Sequence, residues 1–354
     1  VNSSFSWGFS DITTEAAALL AECSDLPLEK PLRVASFTLE SARTVLLTLS
    51  ASGIVAYGEA APLARYGDNV EDILAFYRTF TLPPDAQLFA RDHLTAGIPR
   101  AARCAIDVAL YDFAGRTLGV SVTDLLGLGG LQRPPTARTV SIDEPDVVLA
   151  DVRALRDTPV LKIKIGGASN AAAIDLVAAI RSIYTGAIRL DANEGWTPEQ
   201  TVEILNAIAR YDIEFCEQPI PAGAPEQIGW ISERSKVPIM IDEDALVASQ
   251  LGAFRGRAYA VNVKLAKCGG ITAAYRMIAT ARALGLKVMI GCMAETRVLA
   301  TAGAHLGGLA DWLDIDGPLL LKRDAFHGVE FDLGRIIMPE GPGLGVAPVA
   351  RAVA

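Results

Sequence analysis

The sequence is short of the groups that most often mark a reactive centre. Its 354 residues contain three histidines, His93, His305 and His327, and none closes a strand-like run. Surface or packing roles are expected for all three. The five cysteines are odd in number and form no CxxC pair, which suits reduced thiols better than a disulfide framework. Cys216 and Cys292 lie near strand ends, but no histidine is at hand to make a nucleophile of either. Basic side chains number 32 against 41 acidic ones, and the net charge of −9 argues against nucleic acid and against an acidic membrane surface. No apolar run reaches membrane-spanning length and no basic–apolar–small leader is visible, so a cytoplasmic protein with no membrane partner is expected. Short repeats and low-complexity tracts are also missing. What the chain has in quantity is apolar mass, 51% hydrophobic against 21% charged, enough for one large barrel and a smaller domain.

Two patterns divide the chain. Residues 1–125 begin β-rich, with a hairpin expected from Arg43 to Leu49, a Ser52-Gly53 turn, and Ile54 to Tyr57. Two helices follow, the second carrying Ala101, Cys104, Ala105, Val108, Ala109 and Tyr111 at helical spacing. From residue 126 to 320 strand and helix alternate, with strands predicted at 138–142, 160–165, 187–191, 213–217, 238–242, 260–264, 287–291 and 311–315. A repeat of roughly 25 residues is that of a (β/α)8-type barrel, here with one helix short or irregular. Residues 321–354 turn Gly-rich and β-like and are expected to return to the first domain.

A parallel barrel gathers the carboxyl ends of its strands into one mouth, and this chain puts charge at those ends. Asp191, Glu217 and Asp242 follow three successive strands. Three converging carboxylates repel unless a cation lies among them, and a hard divalent ion such as Mg2+ with oxygen ligands meets that need. Any one of the three could instead cap the helix that follows. Lys162 and Lys164 alternate with apolar residues, so both face the same way from one strand, and Lys264 ends a strand on the opposite wall. A neighbouring cation and a metal would lower an amine's pKa and make it a base. The bland alternative is that the lysines merely neutralise the carboxylates. Two amines across a bound carbon acid suit proton removal on one face and delivery on the other, through an enediolate. Asp314 and Asp316, again two apart, suit a substrate ammonium group, or else a loop cap and a solvated side chain.

These stretches resemble the enolase superfamily, in its muconate lactonizing enzyme subgroup, over nearly the whole chain. The matching segments are Lys162-Ile-Lys164, Asp191 to Trp196, Glu217-Gln-Pro219, Asp242-Glu243, Asn262-Val-Lys264 with Gly269-Gly270, and Gly291 to Glu295, with Gly58 to Pro62 and Ala105 to Asp112 in the N-terminal part. The resemblance implies a modified (β/α)8 barrel with an α+β capping domain built from the N-terminal part and the C-terminal tail. Asp314-Ile-Asp316-Gly-Pro318 is similar to the dipeptide epimerases, in which paired aspartates hold the substrate's α-ammonium group.

Carried over, the resemblance makes Asp191, Glu217 and Asp242 ligands of one Mg2+ per subunit, with Mn2+ as a substitute. Lys164 and Lys264 become the acid/base pair and Lys162 their auxiliary. Asn193 and Glu243 back up these groups, and Met293 and Ala294 contact substrate. The implied reaction is inversion at the C-terminal residue of a dipeptide by a homo-oligomeric isomerase. In epimerases acting on alanyl-glutamate an arginine after the first strand pairs with the glutamate; Phe37 stands there in this chain, which favours a hydrophobic or other non-Glu residue. Arg33 and Arg65 are the nearest substitute cations.

Rival readings stay in view. An N-succinylamino acid racemase or o-succinylbenzoate synthase acts on substrates without a free ammonium, as does muconate cycloisomerisation, and neither needs Asp314 and Asp316. Acid-sugar dehydration relies on a late histidine that is missing. A relative that binds ligand without turnover would be favoured by the loss of any of the two lysines or three carboxylates, and all five are present.

Overall fold

The structure is a computed structural model that describes residues 17–82 and 98–350; residues 1–16 and His93 lie outside the described residues. Three antiparallel strands, β1 (Ala18–Arg33), β2 (Thr38–Ala51) and β3 (Ile54–Ala60), open the fold in the order β1-β2-β3. β2 and β3 are the expected hairpin, turning at Ser52 and Gly53, both with positive φ. The residue pattern gives no range for β1, the strand that the resemblance places before Phe37. This strand lacks strict alternation and carries Pro27 and Pro31, and it holds because β2 pairs with it from Ala18 to Pro27 and again at Leu32. Proline is tolerated at such an edge, here where the register shifts.

Helix α1 (Val70–Thr79) starts at Asn69, whose side chain accepts from Asp72 N. The longer α2 (Arg100–Leu118) is buried from Ala101 to Gly115 except at Arg103 and packs on β3. Gly58 is the contact point: a Cβ there would sit 2.0 Å from Ala105 O, so only glycine lets strand and helix approach this closely. A short α3 (Val122–Leu125) leads towards the barrel.

Eight parallel strands follow: β4 (Arg138–Val140), β5 (Val160–Lys164), β6 (Ala187–Asp191), β7 (Ile213–Glu217), β8 (Ile239–Ile241), β9 (Ala260–Lys264), β10 (Lys287–Gly291) and β11 (Trp312–Asp314). They pair in sequence order, and a parallel bridge between Thr136 and Leu313, with Ala137 N donating to Leu313 O at 3.0 Å, closes the ring. Their Val, Ile and Leu residues are buried on both faces, as strands covered by helices require. Among the described residues, α4 (Pro145–Ala154), α5 (Asn170–Ile183), α6 (Pro198–Ile208), α7 (Pro225–Ser232), α8 (Leu265–Cys268) with α9 (Ile271–Ala283), and α10 (Arg297–His305) form the outer layer. Two connections are irregular rather than one. β8 is followed by a 3-10 stretch, Ala248–Phe254, and β11 by a single 3-10 turn, Gly317–Leu320. After β11 the chain leaves the barrel, and Leu344 N donates to Asp112 Oδ1 of α2 at 2.7 Å. No helix among the described residues is long and apolar enough to cross a membrane.

His305, at the end of α10, is a packed histidine. Thr123 N donates to its Nδ1 at 3.1 Å, so Nε2 carries the hydrogen and donates to Leu344 O at 3.1 Å. Burial pushes the imidazole from 6.5 down to about 4. A depressed histidine favours the neutral folded form, so stability is full above pH 6.5 and is lost as pH falls towards 4. A shift of that size corresponds to about 3 kcal/mol. Urea midpoints measured between pH 7 and 4.5 are expected to fall, and His305→Gln to flatten that slope; an unchanged slope in the variant would remove His305 as its source. His327 is exposed.

Candidate active site

Register brings the charged strand ends to one level. Lys164 on β5 pairs with Asp191 on β6, and Asp191 with Glu217 on β7. Across the ring, Gly291 on β10 is level with both Lys264 on β9 and Asp314 on β11. β5 and β9 lie four strands apart in a closed sheet of eight, so Lys164 and Lys264 stand on opposite walls. Both line one cavity, with Lys162, Asn193, Asp242, Glu243, Asp314 and Asp316.

The lysines are held by carboxylates. Lys162 Nζ lies 2.9 Å from Asp191 Oδ2, 2.9 Å from Glu217 Oε2 and 2.7 Å from Asp314 Oδ2. Lys164 donates to Asp191 Oδ2 at 2.7 Å and to Asn193 Oδ1 at 2.9 Å, and Asn193 Nδ2 donates on to Glu243 Oε1 at 3.2 Å. Lys264 Nζ is 3.0 Å from Asp242 Oδ2. Electrostatics in this state run opposite to the expectation of lowered amine pKa values. Burial lowers Lys162 and Lys264, but the carboxylates outweigh it and both ammonium groups are pushed up, Lys162 by Asp191 and Lys264 by Asp242. Burial raises Asp191, and Lys162 and Lys164 overcome it, holding this carboxyl at about 2. Glu217, raised by burial and by Asp191, reaches about 7; Glu243, raised by burial and by Asp242, reaches about 8.

A lysine the sequence reading passed over completes the cluster. Lys267, on α8 and fully buried, donates to the Asp242 carboxylate, to Asp242 O at 2.6 Å and to Asn262 O at 3.2 Å. Asn262 in turn donates to Glu217 Oε1 at 2.7 Å and occupies the space a side chain at Gly291 would need, 2.4 Å from a Cβ placed there. The only signal in the sequence was a lysine among buried residues directly after a strand end.

The donor chemistry fits a hard divalent ion. Glu217 Oε2 and Asp242 Oδ2 are buried without a hydrogen bond, each beside a lysine ammonium, and carboxylate oxygens of this kind suit such an ion. Among the described residues, no three His, Cys, Asp or Glu side chains converge as a metal ion requires. The Lys162 ammonium instead stands among Asp191, Glu217 and Asp314, while Asp242 is paired with Lys264 and Lys267.

Asp314 and Asp316 both reach the cavity but differ. Asp314 keeps a free Oδ1, whereas Asp316 accepts from Thr139 N at 2.7 Å and from Thr139 Oγ1 at 3.1 Å, stapling the turn after β11 to β4. Burial pushes Asp316 up to about 6, and Asp314 adds to the rise. Phe37 lines the cavity and is 40% exposed; Met293 and Ala294 line it from the barrel. Arg33 is bound to Asp143 and is not among the lining residues. Arg65 lines the cavity but donates to both oxygens of Glu194, at 3.0 and 2.8 Å. The Cys216 and Cys292 thiols are pushed up by burial.

Comparison with known proteins gives the class. The family model described as mandelate racemase / muconate lactonizing enzyme, N-terminal domain, matches residues 18–127, and the one described as enolase C-terminal domain-like matches 148–352. The chain therefore belongs to the enolase superfamily, and it is an isomerase. It is similar to the L-Ala-D/L-Glu epimerase of Bacteroides thetaiotaomicron, 31% identical over 92% of this chain and 86% of that one. It is also similar to the hydrophobic dipeptide epimerase of Roseobacter litoralis, 34% identical over 89% and 94%. Among solved structures, the dipeptide epimerase of Enterococcus faecalis V583 complexed with Mg and L-Leu-L-Tyr superposes with a TM-score of 0.87 at 29% identity, covering 94% of this chain and 100% of that one.

Proposed function

We propose that the protein is a Mg2+-dependent dipeptide epimerase that inverts the α-carbon of the C-terminal residue by moving one proton between two lysines. The observation that carries this is the stationing of Lys164 and Lys264 on opposite walls of one cavity, with carboxylates between them. Asp191, Glu217 and Asp242 would hold the ion, which when bound supplies positive charge for the substrate carboxylate and for the charge that develops on deprotonation. Lys164 and Lys264 are each ion-paired, so freeing either as a base requires its carboxylate's charge to be taken up elsewhere. Lys162 keeps cationic charge behind Lys164, and Asn193 and Glu243 hold Lys164 in line. Asp314 Oδ1 offers an unspent acceptor to a substrate ammonium, with Asp316 beside it.

The side-chain pocket favours an apolar residue over glutamate. Phe37 faces it with Leu32, Val34, Leu39 and Leu63, while the guanidinium groups there are engaged, Arg65 by Glu194 and Arg43 by Glu71 at 2.8 Å. The named relatives include enzymes of both kinds. Deuterium incorporation at the α-carbon, followed by mass spectrometry in D2O with Mg2+ across L,L-dipeptides, tests the reading. Exchange is expected with hydrophobic second residues and not with alanyl-glutamate. Strong exchange with alanyl-glutamate would overturn the role given to Phe37, and exchange only with N-succinyl amino acids would overturn the ammonium site.

A further inference from the structure

Helix α10 opens with main-chain N–H groups that its own turns cannot satisfy. They are met from three parts of the chain. Val298 N donates to Thr296 Oγ1 at 3.2 Å, and Arg297 N donates to Asp324 Oδ2 at 2.8 Å, in the segment after the barrel. Thr296 N and Leu299 N donate to Glu59 at 3.0 and 3.2 Å, and Glu59 Oε2 also accepts from the Thr296 hydroxyl at 2.6 Å. Glu59 stands near the end of β3 in the other domain and is fully buried. Burial pushes its carboxyl up to about 6, against the Thr296 donors that hold it down. Nothing in the proton transfer uses it.

Its place in the chain gives it a task. Ala61, Pro62, Leu63 and Tyr66, just after Glu59, line the cavity from the capping side, while Met293 and Ala294, just before Thr296, line it from the barrel side. Glu295 closes that barrel turn by accepting from Met293 N at 3.0 Å. We propose that Glu59 is a positioning residue, riveting the 61–66 segment to the 292–296 segment and thereby fixing how the substrate side chains are gripped. The rivet acts through α10 rather than on the reacting atoms, so it is expected to govern binding more than turnover. The binding half rests on the dipeptide reading; the mechanical half does not.

Glu59→Gln keeps the size but turns an amide NH2 towards donors, and Thr296→Val removes one donor from the other side. In each variant, amide hydrogen exchange of the free protein is expected to quicken in both 61–66 and 292–299. With a dipeptide that exchanges its α-proton, KM is expected to rise about tenfold in Glu59→Gln, and less in Thr296→Val, with kcat within about twofold. Faster amide exchange confined to 296–299 with KM unchanged would reduce Glu59 to a helix cap and overturn the rivet. A fall in kcat with KM unchanged would overturn it as well. If the unaltered protein turned over no dipeptide, the epimerase reading would fall, and amide exchange in the two segments would still decide the rivet.

Discussion

Replacing Lys164 or Lys264 by alanine is expected to stop net epimerisation, with a loss of about a thousandfold in kcat, while each variant still exchanges the α-proton of one epimer. The two variants should retain opposite epimers. The reason is geometric. The lysines end β5 and β9, four strands apart in a closed ring, so each can reach only one face of an α-carbon held between them. Losing one removes the proton donor for one product and the base for the other, and leaves the remaining base able to exchange its own epimer with solvent. The competing role, neutralisation of Asp191 by Lys164 and of Asp242 by Lys264, predicts a different pattern. A lost counter-ion would depress both epimers alike. Proton NMR of the α-signal in D2O, run on the L,L and L,D forms separately, distinguishes the two, and symmetric loss in both variants would sink the two-base assignment.

Chelation is expected to abolish exchange while leaving the fold in place. With Glu194 paired to Arg65 and Arg43 to Glu71, six further acidic side chains at the site, Asp191, Glu217, Asp242, Glu243, Asp314 and Asp316, stand with the four ammonium groups of Lys162, Lys164, Lys264 and Lys267. Fully ionised, they leave an excess of two negative charges, which a divalent ion would balance. Without it, Glu217 at about 7 and Glu243 at about 8 can retain protons near neutral pH, and the lysines hold the remaining carboxylates. The cluster therefore has a metal-free arrangement that does not force the barrel open. Circular dichroism is expected to be unchanged after chelation, and added Mg2+ at a hundred times its Kd to raise stability by about 2.7 kcal/mol. Full exchange in protein proven metal-free by elemental analysis would refute the metal dependence.

Much of the architecture was legible because barrel strands carry their own signal. Val160-Leu-Lys-Ile-Lys164 and Ala260-Val-Asn-Val-Lys264 are apolar runs ending in charge, and the structure sets their ends at one mouth. β1 carried no local strand signal, since its mixed residues and two prolines form a strand through pairing with β2 and, at Leu28, with Leu321. The second irregular connection was equally hidden, because a 3-10 turn after β11 depends on where the chain must go next.

By itself, then, the sequence determined which side chains stand at the strand ends, since period two and strand length are local properties of the backbone. The tertiary structure decided what those side chains do to one another. That Asp316 is spent on Thr139 while Asp314 keeps an open oxygen depends on how the last strand meets the first. That Lys267 grips Asp242, and that Lys162 is pushed up rather than down, depends on distances between residues far apart in the chain. Coulomb interactions in a dry interior are set by those distances, and no one-dimensional pattern records them.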